Sequence, residues 1–240
     1  MPQLINVRVA TWNVLASAYC LPERYPDSPP GWDDQTQRVR SIADTVAYLV
    51  SVSDVVCLQE VDDLILEGLQ ERLPETNITV ARHRLRRDAV AVLTSSPILA
   101  AEIFAAGDMA ASSVTLDSNG VAVRVVSTHL AWSPRGDVGR AQLASLLAAL
   151  AEAPVARTIL AMDANDSPTS TVCEPLRSAG WVTTSTHDTA LIADRGWVTL
   201  DLVAAREGKV ELVEALGGRG TVPSLTWPSD HLALVVAVAV

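Results

Sequence analysis

The stretch Asp54-Val55-Val56-Cys57-Leu58-Gln59-Glu60 decides the fold class of this chain. A short apolar run without polar interruption is typical of a β-strand that is buried on both faces. Such a strand needs covering layers, and because the run ends in polar residues it delivers a carboxylate, Glu60, to the edge of its sheet. The stretch therefore predicts an α/β protein with polar groups at its strand ends.

The neighbouring segments predict a similar strand and two helices. The alternation Val7-Arg8-Val9-Ala10-Thr11-Trp12 predicts a strand that ends at Asn13. Two helices are expected nearby: one with apolar residues at helical spacing from Val39 to Val50 and Asp33 or Asp34 as N-cap, and one capped by Asp62 that runs to about Leu73.

Further along, strand-like runs follow one another directly in places and alternate with helices elsewhere. An amphipathic helix is expected to begin near Asp137, with Leu143, Leu146 and Leu150 on its apolar face. This order favours a two-sheet core with outer helices. No linker rich in Gly, Ser or Pro divides the chain, so residues 1–240 are expected to form one domain. The remaining predicted strands are 78–81, 89–93, 112–116, 121–128, 157–162, 199–203 and 232–240.

The two halves of the chain are also similar. Residues 7–13 (Val-Arg-Val-Ala-Thr-Trp-Asn) resemble 123–129 (Val-Arg-Val-Val-Ser-Thr-His). Each segment is followed by a helix and then by a strand that ends in an acid, Glu60 or Asp163. Either the likeness arose by chance, or the chain forms two similar layers whose strand ends meet at one place.

Composition limits the classes of function. Hydrophobic residues make up 49% of the chain but include one Phe, so the core must be built from Val, Leu, Ile and Ala. The net charge of −10 disfavours non-specific nucleic-acid binding, which needs many Lys or Arg contacts to phosphate. Three scattered cysteines argue against a disulfide framework. The chain shows no signal-peptide or membrane-span pattern, so a cytoplasmic protein without membrane contact is expected.

Polar residues that end apolar strands form the candidate site. Taken singly, each also has a structural explanation as a turn, cap or core residue. Together their oxygen atoms are the ligands that Mg²⁺ or Mn²⁺ prefers, and nearby histidines can contact phosphate oxygens while a carboxylate orients an attacking water. No GxSxG, P-loop or CxxC motif competes for the role. The candidates are Asn13, Glu60, His129, Asp163, Asn165, Asp201, Asp230 and His231.

Six blocks occur in a familiar order: Thr11-Trp12-Asn13-Val14-Leu15-Ala16, Leu58-Gln59-Glu60-Val61, Ser127-Thr128-His129-Leu130, Asp163-Ala164-Asn165, Leu200-Asp201 and Ser229-Asp230-His231. In these blocks the chain resembles the endonuclease/exonuclease/phosphatase superfamily over nearly its whole length. The resemblance implies a four-layer α/β sandwich, with two mainly antiparallel β-sheets flanked by helices, and a metal-dependent phosphoesterase. Met162-Asp163-Ala164-Asn165 departs from the common Gly-Asp-Phe-Asn and keeps both polar residues.

The resemblance implies which residues hold the ion. Glu60 is expected to be the principal ligand of Mg²⁺ or Mn²⁺, with Asn13 beside it and Asp230 near the metal.

The resemblance also implies the catalytic roles. Asp163 is expected to orient or deprotonate the attacking water, and Asn165 to contact the phosphate. His231, positioned by Asp201, is expected to contact the scissile phosphate, and His129 to be a second phosphate-stabilising histidine.

Finer features are similar to the deadenylase, nocturnin and Angel branch of the superfamily. They include Tyr19 after the first block, Trp32 before an Arg-bearing helix, and His129-Leu130-Ala131-Trp132-Ser133-Pro134. Members of that branch act on RNA 3′ ends, 2′-5′ linkages, terminal cyclic or 2′ phosphates, or small nucleotides. The implied partner is an RNA terminus or a nucleotide. The compact chain carries no partner-binding extension, so no obligate protein partner is expected.

Substrate contacts outside the catalytic set are expected from a basic cluster and from tryptophans. Arg82, Arg84 and Arg87 either are solvated or hold a non-scissile phosphate. Trp132, like Trp32, either packs a loop onto the core or stacks on a base.

Two other functions stay open. The same chemistry can act on DNA or on a phospholipid or phosphoinositide head group, although the charge of −10 supports neither strongly. A catalytically inactive nucleotide-binding protein on the same fold is the remaining alternative.

Overall fold

Two six-stranded β-sheets form the centre of the computed structural model, which describes residues 5–155, 157–184, 187–192, 195–218, 220 and 222–240. The strands are β1 (Asn6–Asn13), β2 (Val55–Val61), β3 (Asn77–Arg82), β4 (Ala89–Thr94), β5 (Ile98–Ala106), β6 (Met109–Ser118), β7 (Val121–His129), β8 (Arg157–Asp163), β9 (Val182–Thr183), β10 (Ala190–Ile192), β11 (Gly196–Val198), β12 (Asp201–Ala205), β13 (Lys209–Leu216) and β14 (Ala233–Ala239). The helices are α1 (Gln35–Val52), α2 (Asp63–Arg72), α3 (Asp137–Glu152) and α4 (Glu174–Ser178).

The first sheet has the strand order β13-β14-β1-β2-β4-β3, and the second has the order β5-β6-β7-β8-β12-β9. A small separate sheet consists of β10 and β11. Most neighbouring strands are antiparallel, but β1 pairs with β2, and β7 with β8, in parallel. The two halves of the chain therefore share one local arrangement, as their similar sequences suggest.

Three apolar cores separate four layers. Alternate strand residues such as Val9 and Val125 face the space between the two sheets and form the inner core. The opposite face of β1 places Trp12 among residues of α1 and α2, and the outer face of the second sheet packs Met162 against α3 and α4. The chain is thus a four-layer α/β sandwich, as predicted.

Local signals explain where the helices begin. The side chain of Asp34 accepts a hydrogen bond from the backbone N of Gln37 (2.9 Å), and that of Asp62 accepts one from the backbone N of Ile65 (3.0 Å). Both are N-caps, which satisfy backbone groups left free in the first turn of a helix. These predictions are confirmed.

The structure also bears on the cysteines, on membrane-spanning helices and on the predicted strands. All three cysteines are free and buried. No helix within the described ranges is both long and apolar enough to cross a membrane. The sequence patterns placed the start of β12 at residue 199 rather than at Asp201, and they missed helix α4 and strands β5, β9, β10, β11 and β13.

Candidate active site

Glu60 reaches the site because its strand is irregular. The pairing of β2 with β4 shifts between Leu58 and Val61, and Glu60 has a φ of 58°. A bulge of this kind redirects a side chain out of the regular pleat. The carboxylate then accepts hydrogen bonds from Asn13 Nδ2 (3.0 Å) and from the backbone N of Ala16 (3.1 Å).

Asn13 joins the two sheets at the site. Its Nδ2 donates both to Glu60 Oε1 on the first sheet and to Asp163 Oδ2 on the second (2.9 Å). Its Oδ1 accepts from the backbone N of Leu15 (3.0 Å), which fixes the orientation of the amide. Through its Nδ2, Asn13 therefore orients one carboxylate on each sheet, and its expected place beside the metal stays a prediction.

Asp163 is held from both sides. Besides the bond from Asn13, its Oδ1 accepts from the backbone N of Asn165 (2.8 Å), and its Oδ2 lies 3.6 Å from His129 Nε2 and 3.8 Å from His231 Nε2. Burial alone would raise the pKa of Asp163, but the two histidines and the Asn13 hydrogen bond lower it. The carboxylate is therefore ionised at neutral pH and able to accept a proton.

Asn165 follows Asp163 in a left-handed backbone conformation, with a φ of 52°. Its Nδ2 donates to the backbone O of Leu130 (2.8 Å) and lies 2.8 Å from His129 Nε2. The amide therefore faces the first site histidine.

His231 and Asp201 form a buried pair, with His231 Nδ1 2.8 Å from Asp201 Oδ2. Burial alone would lower the pKa of His231, but Asp201, with Asp230 and Asp163, raises it well above its usual value. Ser229 Oγ accepts a hydrogen bond from the backbone N of His231 (3.0 Å), so the backbone that carries the imidazole is fixed too. The imidazole is thus a cation whose Nε2 faces Asp163.

Asp230 supplies the second carboxylate beside Glu60. Its Oδ2 accepts from Tyr25 OH (2.8 Å), whereas its Oδ1 lies 4.0 Å from His231 Nε2 and has no hydrogen-bond partner among the described residues. Burial raises the pKa of Glu60, and the negative charge of Asp230 raises it further. The carboxylates of Glu60 and Asp230 lie near each other, and oxygen ligands of this kind are the ones that Mg²⁺ or Mn²⁺ prefers.

A second buried cluster beside the site was missed by the sequence patterns. Asp88 Oδ2 lies 3.8 Å from His129 Nδ1 and 3.7 Å from His83 Nε2. Arg86 lies against both histidines: its Nη1 is 3.2 Å from His129 Nδ1, and its Nη2 donates to the backbone O of His129 (3.0 Å). Burial, together with the charge of Arg86, lowers the pKa of His83 to about 4. This cluster therefore contains its own cation, the guanidinium of Arg86.

The arginines between β3 and β4 differ in their contacts, and the expected substrate contacts of Arg82, Arg84 and Arg87 stay predictions. Arg82 is exposed at the end of β3 and pairs with Asp63 at the start of α2. Arg84 and Arg87 are exposed in the turn between β3 and β4. Arg86, which was not among the three expected residues, is the one that contacts His129.

The tryptophans differ from each other. Trp32 is buried and contacts Tyr25 edge-on, with ring centroids 5.2 Å apart, so it packs its loop. Trp132 is 59% exposed and lines a cavity of about 570 Å³ together with Pro134, Asn165 and Trp197. An exposed ring at the rim of a cavity beside Asn165 is available to a substrate.

All eight predicted strand-end residues thus lie in one region. Direct contacts connect Asn13 with Glu60 and Asp163, Asn165 with Asp163 and His129, and His231 with Asp201, while Asp230 is next to His231. The arrangement combines an ionised carboxylate, a cationic imidazole and a pair of acidic oxygens, which is a set suited to moving a proton from water beside a charged phosphate.

Comparisons with known proteins agree with this architecture. The model of the Endonuclease/Exonuclease/phosphatase family matches residues 10–231. No curated protein matches the sequence.

Solved structures show the same fold. ANGEL2, a 2′,3′-cyclic phosphatase, gives a TM-score of 0.80 at 16% identity, over 98% of this chain and 95% of that one. The catalytic domain of human Nocturnin with bound sulfate gives 0.69 at 20% identity, over 98% and 94%. TDP2 from D. rerio, complexed with a single-strand DNA product, gives 0.71 at 15% identity, over 97% and 98%.

Proposed function

The chain belongs to the endonuclease/exonuclease/phosphatase family, and from this premise we propose that it is a hydrolase of phosphoester bonds in RNA ends or nucleotides that depends on Mg²⁺ or Mn²⁺. The observation that carries the proposal is the bridge made by Asn13. Its amide holds Glu60 and Asp163, from two different sheets, within hydrogen-bond distance of one donor. These two hydrogen bonds take no part in strand pairing. They place Glu60, a candidate metal ligand, beside Asp163, a candidate base.

Glu60 and Asp230 are the residues proposed to hold the ion. When bound, the divalent ion supplies stabilisation of negative charge on the phosphate oxygens. Asn13 and the backbone N of Ala16 orient Glu60, and Tyr25 orients Asp230.

Asp163 is proposed to orient the attacking water and accept its proton. Its ionised state and its two fixed oxygens suit a base that must be in place before the substrate arrives. The water oxygen then forms the new bond to phosphorus in line with the bond that breaks, and the leaving oxygen departs with the electron pair of that bond.

His231 is proposed to contact the scissile phosphate as a cation. Asp201 holds its Nδ1, so Nε2 is the nitrogen left to donate to a phosphate oxygen. Asn165 and His129 are proposed to donate to the remaining oxygens, since both face the same space beside Asp163.

Two observations support RNA ends or nucleotides as the substrate class. Exposed Trp132 at the rim of the cavity beside Asn165 offers a surface on which a base can stack. Among the solved structures of the same fold is a 2′,3′-cyclic phosphatase. The TDP2 complex with DNA keeps single-stranded DNA as the second candidate.

A substrate panel tests the proposal. Wild-type protein is assayed with Mg²⁺ and with Mn²⁺ on RNA ending in 3′-OH, 3′-phosphate or 2′,3′-cyclic phosphate, on 2′-5′ oligomers, on NADP, on single-stranded DNA and on phosphoinositides. We expect turnover on RNA ends or nucleotides that chelation abolishes. Turnover confined to DNA or lipid overturns the substrate class, and tight nucleotide binding without turnover overturns the enzyme.

Two substitutions test the proposed roles. Glu60→Ala and Asp163→Ala are each expected to lower turnover by about 10²–10³-fold, since each removes charge stabilisation worth several kcal/mol. Glu71→Ala, an exposed glutamate on α2, is the matched control and should keep wild-type turnover. Wild-type turnover in either test variant contradicts the role assigned to that residue.

A further inference from the structure

Two tyrosines of the loop between β1 and α1 donate to two carboxylates that flank the site. Tyr19 OH donates to Asp88 Oδ1 (3.0 Å), and Tyr25 OH donates to Asp230 Oδ2 (2.8 Å). The two bonds share a geometry, because in each case the tyrosine binds one oxygen of the acid and leaves the other free.

The free oxygens face the two site histidines. Asp88 Oδ2 is buried without a hydrogen-bond partner among the described residues and lies 3.8 Å from His129 Nδ1. Asp230 Oδ1 is likewise buried and unpartnered within the described part of the chain, 4.0 Å from His231 Nε2. When a tyrosine fixes one oxygen of a carboxylate, the position of the other oxygen is fixed as well.

The loop that carries the tyrosines is itself fixed. Trp32 packs edge-on against Tyr25 in a small apolar cluster with Leu15. Ser28 Oγ donates to the backbone O of Pro223 (2.6 Å), which ties the loop to the segment leading to Asp230. The hydroxyls are therefore held in place by packing that does not depend on the carboxylates.

We propose that Tyr19 and Tyr25 are positioning residues: each fixes one oxygen of an active-site carboxylate, so that Asp88 orients His129 and Asp230 turns its free oxygen toward the ion. This inference rests on the proposed function for its metal and its substrate. A hydroxyl bound to a carboxylate makes a strong, charge-assisted hydrogen bond. Groups that orient metal ligands in this way typically change metal affinity or activity about 10–100-fold when removed.

The competing explanation is that the rings only pack the loop. Substitution by Phe separates the two, because it keeps the ring and removes only the hydroxyl. The chain has three tyrosines, and the third, Tyr48, donates to Glu214 on the surface, which makes Tyr48→Phe a matched control.

The first experiment measures Mn²⁺ binding without any substrate. Free Mn²⁺ is followed by electron paramagnetic resonance as it is titrated into wild type, Tyr25→Phe and Tyr48→Phe, and thermal unfolding is recorded in parallel. We expect Tyr25→Phe to weaken Mn²⁺ binding about 10-fold while its unfolding midpoint stays close to that of Tyr48→Phe. Unchanged affinity in Tyr25→Phe overturns its role.

A double substitution shows whether Tyr25 acts through Asp230. In an Asp230→Asn background the loss caused by Tyr25→Phe should disappear, since the oxygen that it orients is no longer a charged ligand. An equal loss in both backgrounds means that Tyr25 acts by another route, and the inference fails.

Tyr19 is tested by measuring kcat and Mn²⁺ affinity in the same variant. Tyr19→Phe should lower kcat about 10-fold on the best substrate of the wild type and leave Mn²⁺ affinity unchanged, because Asp88 serves a histidine rather than the ion. A wild-type kcat overturns the role of Tyr19. If the wild type binds Mn²⁺ but hydrolyses no phosphoester, the proposed function fails, whereas the Mn²⁺ comparison still decides the role of Tyr25.

Discussion

Two of the site residues are placed by backbone conformations that most amino acids avoid. Glu60 and Asn165 both have positive φ values, 58° and 52°. Non-glycine residues in this region cost about 1–3 kcal/mol and persist only where the surrounding structure holds them. At Glu60 the holding contacts are those from Asn13 and Ala16, so the same hydrogen bonds both sustain the strain and aim the carboxylate.

His83 predicts how stability depends on pH. Its folded pKa of about 4 lies below its usual 6.5, so between these values the unfolded chain binds a proton that the folded chain does not. The contribution of His83 to the free energy of unfolding is therefore complete above about pH 6.5 and falls as the pH drops to about 4. The loss is about 3 kcal/mol, at about 1.36 kcal/mol for each pH unit between the two pKa values.

The variant His83→Gln tests this dependence. The difference in unfolding free energy between pH 7 and pH 4 should shrink by about 3 kcal/mol relative to wild type, as measured by urea denaturation at each pH. His187, for which the same substitution can be made, serves as the control, because it lies outside this cluster. An unchanged difference in His83→Gln would show that other groups dominate acid unfolding.

At this scale the sequence predicts residues that end apolar runs but not those brought in by distant pairing. Asn13, Glu60 and Asp163 can be found in the sequence because each lies at or next to the end of a recognisable strand. Asp88 lies near His129 because β4, which begins directly after Asp88, packs against β7, and His129 is 41 positions further along the chain. Arg86 lies between Arg84 and Arg87 in the sequence, and the local sequence does not show which of these side chains turns toward the site.

At the scale of elements, helix α1 connects the loops that carry the site. Arg38 is 2% exposed, and its guanidinium donates to the backbone O of Leu15 (2.6 Å), after β1, and to that of Pro228 (2.9 Å), before Asp230. A further bond reaches the backbone O of Val14 (3.3 Å). One buried side chain thus ties both site loops to one helix.

Replacement of this arginine should destabilise the protein. Arg38→Met keeps the stem but leaves several buried carbonyls unpaired, at about 1–3 kcal/mol each, for a total of about 3 kcal/mol or more. For a chain of this size that lowers the unfolding midpoint by about 6–12 °C, measurable by differential scanning fluorimetry. Arg40→Met, on the exposed face of the same helix, should change it little.

Two of the strands that the sequence patterns missed, β5 and β13, have broken alternation, and the missed strands β9, β10 and β11 have only two or three residues each. The pairing of β13 with β14 shifts between Leu212 and Glu214, which leaves Val213 53% exposed. Strand β5 has a shift between Ile98 and Ala100 and is rich in alanine, a residue with low strand preference. Long strands with regular patterns, such as β7, and helices with acidic N-caps were predicted because their local signals agree with the fold.

At the scale of the whole molecule, the inner core belongs to both sheets. Val9 and Val236 from the first sheet lie in the same cluster as Val125 and Ile159 from the second. Neither sheet can bury this face alone, so we expect the chain to unfold as one unit, in keeping with the single domain expected over residues 1–240.

Calorimetry tests this cooperativity. One endotherm is expected, with equal calorimetric and van't Hoff enthalpies, and Val125→Ala in the shared core should move the whole peak to lower temperature. Two separable endotherms, of which Val125→Ala moves only one, would show that the halves are independent.

The hydrogen bond from Asn13 to Asp163 spans the boundary between the sheets, where apolar side chains fill the shared core and further buried hydrogen bonds, such as that from Gln59 Nε2 to Ser127 Oγ (3.2 Å), also cross. Apolar faces tolerate a small slip, but a hydrogen bond weakens within a few tenths of an ångström. The reaction rate should therefore depend on how the two sheets are aligned with each other. Substitutions deep in the shared interior, far from any substrate, are therefore expected to slow the reaction as well as to lower the unfolding temperature.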